Sequence, residues 1–456
     1  MVFSSSIFIF GFLPLVLLFY FILPKKCRNY VLLFFSLIFY IFGGPKFIFL
    51  LLSVVIINYV GALLIDKYKN KIWLIITIVL NLGLLGYFKY LDFFIQTFNR
   101  IFDRNIPVLG IILPIGISFY IFQALGYTID VYRKEVKVQK NFFLLLFYVS
   151  FFPQLVAGPI VRYKTIEKEV VSREAKIEDI SDGIERFILG LAKKVIIANQ
   201  VGALADIIFG SGQVGSLIAL LGALCYMLQI YFDFSGYSDM AIGMGRIFGF
   251  HFLENFNFPY IASSITDFWR RWHISLSSFF RDYVYIPLGG NRVSKGRWIF
   301  NLLVVWGLTG LWHGASWNFV LWGLYYFVFL IVEKLWLGKY LEKTRVFKHI
   351  YTLVIVFFGW ILFRCEHMSV LFSFLKDLFS FQVGDMNMFL IYLETYGIYI
   401  GLGLLFSTPI YYIVKKKFDD KIWFNGLKYI GLLLLFFVCI CFLAKSTYNP
   451  FIYFRF

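Results

Sequence analysis

His313 is the side chain of this sequence best placed for acid–base chemistry. It lies in the string LTGLWHGASWN, inside residues 298–332, where the only other ionisable side chains are tyrosines. Ionisable groups at membrane depth are costly and usually face a protein interior or a water-filled cavity. Imidazole also gains and loses its proton near neutral pH, which suits a general base. We therefore take His313 as the leading catalytic candidate. The alternative is a structural histidine that donates to a helix carbonyl.

A second group of candidates lies in residues 251–297, a segment rich in aromatic residues, arginines and turn formers. Ser264 or Thr266 can cap a helix there. Apolar residues then recur at a spacing of three to four: Phe268, Trp269, Trp272, Leu276 and Phe279 or Phe280. This pattern predicts an amphipathic helix on the membrane surface. Since His273 follows Trp269 by four residues and borders the apolar stripe, we expect both side chains to point into the protein.

The same segment continues into an irregular turn, because Pro287 and two glycines interrupt the string YVYIPLGGNR. Five arginines around a glycine turn predict a cytoplasmic phosphate site: Arg270, Arg271, Arg281, Arg292 and Arg297. We take Arg281, Asp282 and Asn291 as candidate substrate contacts, together with Trp269. Anchoring of Arg and Trp side chains at the membrane interface is the alternative.

Two carboxylates interrupt a third apolar run, in the string YFDFSGYSDM of residues 231–240. Carboxylates at membrane depth need partners. Asp239 and Arg246 are seven residues apart on one helix face, so we expect them to form an ion pair. We also keep Asp239 as a candidate substrate contact, with purely structural pairing as the alternative.

The composition indicates which elements must hold these residues. Hydrophobic residues make up 60% of the 456 residues, charged residues 15%, and the mean hydropathy is +0.78. Apolar runs long enough to cross a hydrocarbon core of about 30 Å recur along the chain, without the alternation of a membrane β-barrel. We therefore predict an all-α polytopic membrane protein in one integral domain, residues 1–456. It should have about 11 or more transmembrane helices, plus re-entrant and interfacial helices.

Hydrophobic periodicity places these helices along the chain. They are predicted at 2–23, 29–42, 46–65, 72–90, 111–130, 141–157, 184–208, 216–248, 298–335 (broken at Gly310 and Gly314), 346–364, 369–380, 387–414 and 423–443. Residues 162–186 mix both charges, and we expect a cytoplasmic loop with a surface helix there.

The net charge of +17 does not indicate nucleic-acid binding, because the lysines and arginines lie in short loops between apolar runs. That pattern is typical of topology determinants and lipid-facing anchors. No lysine or arginine precedes the first apolar run, whereas Lys25, Lys26 and Arg28 follow it. We therefore expect an uncleaved first helix with the N-terminus outside. The basic loop at residues 66–71 agrees with this orientation.

A metal centre is not expected. The five cysteines are scattered, with no spacing that fits a metal site or a disulfide framework, and packing is their expected role. His273 and His313 likewise lack a carboxylate or thiol at a recognisable ligand spacing.

Several strings resemble the membrane-bound O-acyltransferase family: DFWRRWH at 267–273, FRDYVYIPLGGNR at 280–292, GLWHG at 310–314, MVFSS at 1–5, QLVAGPIVRY at 154–163, DFSGYSD at 233–239 and ENFNFPY at 254–260. The likeness extends over nearly the whole chain. The string at 286–292 resembles the bacterial branch that acetylates alginate, peptidoglycan and related polymers. The branch that transfers D-alanine toward teichoic acids is similar at His273 and His313 but usually departs at that string.

The resemblance implies helices around a central funnel or tunnel across a bacterial cytoplasmic membrane. It implies that His313 is catalytic and that His273 supports it in the same path. An acetyl donor, acetyl-CoA or another, would enter from the cytoplasm, with no bound cofactor. The acceptor would be an extracytoplasmic polysaccharide, reached directly or through a secreted partner acetyltransferase. Trp312 and Trp317 would shield the thioester from water.

Two other functions remain open from the sequence. A transporter or flippase for lipid-linked sugars would also need membrane-embedded His, Asp and Arg side chains, but it should tolerate a size-preserving substitution of His313. Transfer of D-alanine toward teichoic acid is distinguished by a donor assay.

Overall fold

A computed structural model describes residues 1–156, 158–418, 421–445, 448–449 and 451–452 of the chain. Within these residues all regular structure is helical, in α-helices joined or extended by short 3-10 and π-helical turns. This confirms the all-α class. The predicted helix at 141–157 ends on Ala157, which lies outside the described residues.

The first group of helices is α1 Ile7–Ile22, α2 Arg28–Ile41, α3 Ile48–Tyr68, α4 Lys71–Phe102, α5 Ile117–Tyr132, α6 Phe142–Ser150, α7 Phe152–Leu155, α8 Tyr163–Val171, α9 Ile177–Gly210 and α10 Ser216–Ile247. The second group is α11 Ile265–Arg271, α12 Ile274–Phe280, α13 Lys295–His313, α14 Trp317–Leu341, α15 Phe347–Arg364, α16 Met368–Leu378, α17 Met386–Phe406, α18 Ile410–Phe418 and α19 Ile422–Lys445.

Among the described residues, eight helices are long and apolar enough to cross a membrane: Pro45–Tyr68, Lys71–Phe102, Ile177–Gly210, Ser216–Ile247, Trp317–Leu341, Phe347–Arg364, Met386–Phe406 and Ile422–Lys445. The polytopic membrane class is therefore confirmed. The predicted number of about 11 or more is higher because it includes shorter apolar runs such as that of α1. The central funnel stays a prediction.

The chain folds into two compact units. The first comprises Met1–Phe187 and Ala241–Leu253, and the second comprises Ile188–Met240 and Glu254–Phe456. The unit boundaries fall inside α9 and α10, so both helices contribute residues to both units. The candidate residues between 269 and 313, and also Asp239, belong to the second unit. The single integral domain at 1–456 stays a prediction.

Two regions differ from the helices predicted from sequence. A π-helical turn at Gly86–Tyr90 carries the predicted helix at 72–90 onward, so α4 reaches Phe102. Residues 162–186, predicted as a loop with one surface helix, hold α8 and the start of α9. The apolar residues of both segments recur at helical spacing between the charges, which permits a helix with one solvated face.

Close contact between α13 and α14 positions the end of α13 in the second unit. A Cβ atom at Gly310 would lie 2.3 Å from the carbonyl oxygen of Phe319, and one at Gly323 would lie 2.3 Å from the carbonyl oxygen of Trp306. Only glycine allows two helix backbones to approach this closely. The run at 298–335 breaks between His313 and Trp317, as predicted at Gly314, whereas the break predicted at Gly310 is wrong because Gly310 lies inside α13.

Candidate active site

His313 is the last residue of α13, at the break before α14. Its side chain is buried, with 6% of the residue surface exposed. The imidazole packs against three aromatic rings at centroid distances of 5.1, 4.9 and 5.3 Å, those of Trp312, Trp322 and Phe363. The ring therefore lies inside the protein and not on its lipid-facing surface.

His273 lies between α11 and α12, where the backbone adopts φ +44° and ψ +55°. This left-handed conformation is uncommon and strained for a residue other than glycine. Asn255 holds the turn, because its carbonyl accepts the N–H of Ile274 at 2.9 Å and its Oδ1 accepts the N–H of Ser275 at 3.1 Å. The single amphipathic helix predicted from sequence is therefore broken at His273, and the imidazole is buried.

The hydrogen bonds of Asn255 also favour one tautomer of His273. The Nδ1 atom of His273 lies 3.3 Å from Oδ1 of Asn255, and the N–H of Ser275 identifies that atom as the amide oxygen. An amide oxygen only accepts, which favours the tautomer with the hydrogen on Nδ1 and leaves Nε2 as the acceptor atom of the ring. Burial lowers the pKa of His273 to about 3. The imidazole is thus neutral at physiological pH.

Trp312 connects the two histidines. Its indole ring lies 5.7 Å from the imidazole of His273, at an interplanar angle of 75°, and 5.1 Å from that of His313. Trp312 is 2% exposed. The structure therefore brings together three predicted residues through one buried aromatic ring.

A cluster of aromatic rings surrounds these residues and includes Trp269. The Trp269 ring lies 5.5 Å from that of Trp322, which in turn contacts His313. Rings of this size exclude water from their surroundings. Trp317, which was also expected to shield the thioester, is 49% exposed at the start of α14.

Glu333 is a positioning residue that sequence reasoning missed. Its carboxylate accepts the N–H of Ile265 at 2.7 Å and the N–H of Thr266 at 3.0 Å, so it caps the first turn of α11. Ser264 adds the predicted cap by accepting the N–H of Asp267 at 2.9 Å. These bonds fix the helix that carries Trp269. No local signal links Glu333 to α11, because the two are more than sixty residues apart in sequence.

The remaining substrate candidates lie at more exposed positions. The side chains of Arg281 and Asp282 pair with each other, with Nε 2.6 Å from Oδ1, and the arginine side chain is 63% exposed. Asn291 is exposed in the turn after them. Substrate binding by these three residues stays a prediction, and the structure does not gather them into the buried aromatic cluster.

Asp239 pairs with a lysine and not with Arg246, so the predicted ion pair is wrong. The Nζ atom of Lys193 lies 2.7 Å from Oδ2 of Asp239, whereas Arg246 pairs with Asp182 at 2.9 Å. Lys193 reaches Asp239 because α9 and α10 pack closely at Gly190, where a Cβ atom would lie 2.6 Å from the carbonyl oxygen of Gly236.

A second ion pair, missed by the sequence reasoning, joins the same two helices. Nζ of Lys194 lies 2.7 Å from Oδ1 of Asp233, and their side chains are 3% and 1% exposed. Both pairs account for carboxylates that needed partners at membrane depth. Among the described residues, no group of three or more His, Cys, Asp and Glu side chains is arranged to hold a metal ion.

Comparison with known proteins gives one family and several relatives. The profile of MBOAT, the membrane-bound O-acyltransferase family, matches residues 131–375. The chain is 41% identical to the probable alginate O-acetylase AlgI of Azotobacter vinelandii, over 85% of this chain and 80% of the relative. It is 37% identical to the peptidoglycan O-acetyltransferase of Helicobacter pylori, over 83% of this chain and 80% of the relative. It is 31% identical to the teichoic acid D-alanyltransferase of Bacillus subtilis, over 56% of this chain and 70% of the relative.

Proposed function

The chain belongs to the membrane-bound O-acyltransferase family, and on that premise we propose that it takes an acetyl group from a cytoplasmic donor for O-acetylation of an extracytoplasmic polysaccharide. The relatives that act on alginate and peptidoglycan support this acceptor class, since each aligns with more than four fifths of the chain. The D-alanyltransferase of Bacillus subtilis aligns with only 56% of the chain. D-alanyl transfer is therefore the second candidate, and family membership sets the transporter alternative aside.

One observation carries the proposed chemistry, namely that two buried histidines contact the same buried indole ring of Trp312. We assign His313 as the general base. The hydroxyl oxygen of the acceptor attacks the carbonyl carbon of the thioester, and its proton passes to His313. The carbon–sulfur bond then breaks, and the leaving thiolate takes the proton. General-base catalysis of this kind contributes roughly a hundred- to ten-thousand-fold to the rate.

His273 supports this reaction, either by orienting the donor or by accepting a proton in relay. Its ring orientation is set by Asn255, and its neutral form offers Nε2 as an acceptor atom. The low pKa makes Nε2 a weak proton acceptor but leaves it free to accept a hydrogen bond, which favours the orienting role over the relay.

The aromatic cluster protects the thioester from hydrolysis. Trp269, Trp312 and Trp322 are all buried next to the two histidines or next to each other. Exclusion of water limits the competing reaction with water and strengthens hydrogen bonds within the site.

We propose acetyl-CoA as the donor. It would meet Arg281, Asp282 and Asn291 on the cytoplasmic side of the protein. The chain would lie in a bacterial cytoplasmic membrane with its N-terminus outside, as the basic loops indicate. A secreted acetyltransferase would complete transfer to the polymer where the chain does not reach the polymer itself.

Transfer of label in proteoliposomes tests the proposal. Radiolabelled acetyl-CoA is supplied on one side and alginate or peptidoglycan oligomers on the other. Label should reach an oligomer, directly or after addition of a secreted transferase, and His313→Ala should lower the rate at least about a hundredfold. His367→Ala is the matched control, because His367 is exposed. Undiminished transfer by His313→Ala would overturn the assignment of the base. Exclusive use of a D-alanyl donor would overturn the proposal that the donor carries an acetyl group.

A further inference from the structure

A polar cavity of about 610 Å³ lies in the second unit, between the loop after α9 and the segment that joins α16 to α17. Its wall carries hydroxyl, amide and phenol groups: Ser211, Gln213, Ser380, Gln382 and Tyr392. By contrast, a cavity of about 700 Å³ beside α18 and α19 is lined mainly by apolar side chains. Small-molecule sites typically have volumes of about 300–1,000 Å³, and the polar wall of this cavity suits a ligand rich in hydrogen-bonding groups.

Two glycines hold the rim of this cavity in a fixed shape. Gly215 and Gly384 have φ values of +77° and +78°, and a Cβ atom on Gly215 would lie 2.6 Å from the Cα atom of Gly384. The N–H and the hydroxyl of Ser216 both donate to the carbonyl of Gln382 at 2.8 Å. Asp377 accepts the N–H of Val214 at 3.3 Å. The two loops are therefore joined backbone to backbone, so the polar wall is formed before any ligand arrives.

Charge distribution places this cavity on the side opposite the cytoplasm. α15 follows Lys343 and Arg345, and α17 leads into α18, which ends in three lysines, Lys415, Lys416 and Lys417. Positive residues concentrate at cytoplasmic helix ends. Both α15 and α17 are long enough to span the membrane. Residues 365–385 join their other ends and therefore face outward.

A series of contacts links the cavity to His313. Phe363 contacts the His313 ring, and the next residue, Arg364, places its Nη2 atom 2.8 Å from Oδ1 of Asp206. Phe209, one turn further along α9, stacks on Phe374 of α16 at 4.2 Å. Asp377, which lines the cavity, follows one turn later. The cavity thus lies beyond the outer end of α15, the helix whose Phe363 touches the candidate base.

We propose that this cavity binds a sugar segment of the acceptor, specifically an uncharged hexose or N-acetylhexosamine chain. This inference rests on the proposed function and names a subsite for its acceptor. Sugar hydroxyls both donate and accept hydrogen bonds, as the Gln, Ser and Tyr groups of the wall do. The wall also carries two carboxylates, Asp377 and Asp385, against one ammonium, Lys376. This excess of negative charge disfavours a uronate chain.

Phe381 lies between two residues of the cavity wall and is itself strongly exposed. It follows Ser380 and precedes Gln382, it is 86% exposed, and its backbone has a φ of +54°. A bulky residue in that conformation is strained, and such strain is concentrated at functional sites. An exposed ring beside polar side chains offers an apolar face on which a pyranose ring can pack.

Direct binding without any acyl donor tests this site separately from the transferase activity. Purified full-length protein in nanodiscs is titrated with fluorescent tri-N-acetylchitotriose and, in parallel, with a mannuronate trimer. The uncharged trimer should bind more tightly than the uronate trimer. The double variant Gln213→Ala/Gln382→Ala should weaken its binding about fivefold or more, because two hydrogen-bonding groups are lost. Gln96→Ala is the matched control, since Gln96 is an exposed glutamine outside the cavity.

Any one of three binding results would overturn the sugar site: no binding of the uncharged trimer, an equal loss of affinity with Gln96→Ala, or binding of the uronate trimer that is at least as tight. Retention of a secreted protein by this face, without any binding of the trimer, would also overturn it. Binding by His313→Ala at wild-type affinity would support the site and would separate it from the proposed function, because that variant fails only in acetyl transfer.

Discussion

The imidazole of His273 and the indole of Trp312 meet edge to face, with ring centroids 5.7 Å apart. Trp312 directly precedes His313 and contacts its ring as well. One indole therefore sets the position of two histidines that lie forty residues apart in sequence. This arrangement gives a physical reason for a tryptophan immediately before the candidate base: a smaller side chain would leave space between the two imidazoles.

Trp312→Phe should increase the hydrolysis of the donor relative to its transfer. The smaller ring leaves a gap beside both histidines into which water can enter, and large-to-small changes in a buried site typically cost about 1–3 kcal/mol or more. The ratio of free acetate to acetylated acceptor, measured with labelled acetyl-CoA, reports the effect. Trp317→Phe is the matched control, because Trp317 is half exposed. Equal ratios for the two variants would contradict the shielding role of Trp312.

Glu333→Ala should destabilise α11 and lower the transfer rate together. The substitution removes the acceptor for two backbone N–H groups and for the hydroxyl of Thr266. Loss of a helix cap costs about 0.5–2 kcal/mol, and more where the donors are buried. The thermal midpoint in detergent and the initial rate of acetyl transfer are the two measurements. Glu342→Ala, at an exposed position, should change neither; a similar loss in both variants would count against the capping role.

Acidification should destabilise the protein partly through His273. Its folded pKa is lowered by burial from 6.5 to about 3, so below pH 6.5 the unfolded state binds a proton that the folded state does not. Stability from this group is present above pH 6.5 and is lost as the pH falls from there toward 3, by up to about 1.4 kcal/mol per pH unit. Unfolding midpoints of wild type and His273→Gln between pH 7 and pH 5 test this. The variant should show the shallower dependence; parallel curves would mean that His273 titrates normally.

Lys194→Met should destabilise the second unit strongly. It leaves the buried carboxylate of Asp233 without the ammonium that lies 2.7 Å away, and breaking a buried pair costs about 3–5 kcal/mol. The double variant Lys194→Met/Asp233→Asn should recover much of the loss, because no unpaired charge remains. Lys164→Met is the control, since its pair with Glu135 is about one third exposed and should contribute little. Denaturation in detergent measures the stability of the single variant, the double variant and the control. If the double variant loses as much stability as its two single substitutions together, the two residues do not form a coupled pair.

The sequence predicted those features that depend on neighbouring residues. Apolar runs located most helices, and Gly314 indicated the break that the structure places after His313, whereas Gly310 lies inside α13. Features set by distant residues were not predictable. Lys193 reaches Asp239 across two packed helices, and Glu333 caps a helix that begins at Ile265. The left-handed backbone of His273 also escaped prediction, because a non-glycine residue gives no local signal for it.

The close approach of Gly310 to the backbone of Phe319 lies one turn before the candidate base, so α13 and α14 cannot accept a side chain there without moving apart. A methyl group added at Gly310 would have to push α13 and α14 apart at this contact. The imidazole of His313 would then shift with the end of α13, although no atom of the ring had been altered. A substitution at Gly310 is thus expected to change the position of the base through the packing of α13 on α14.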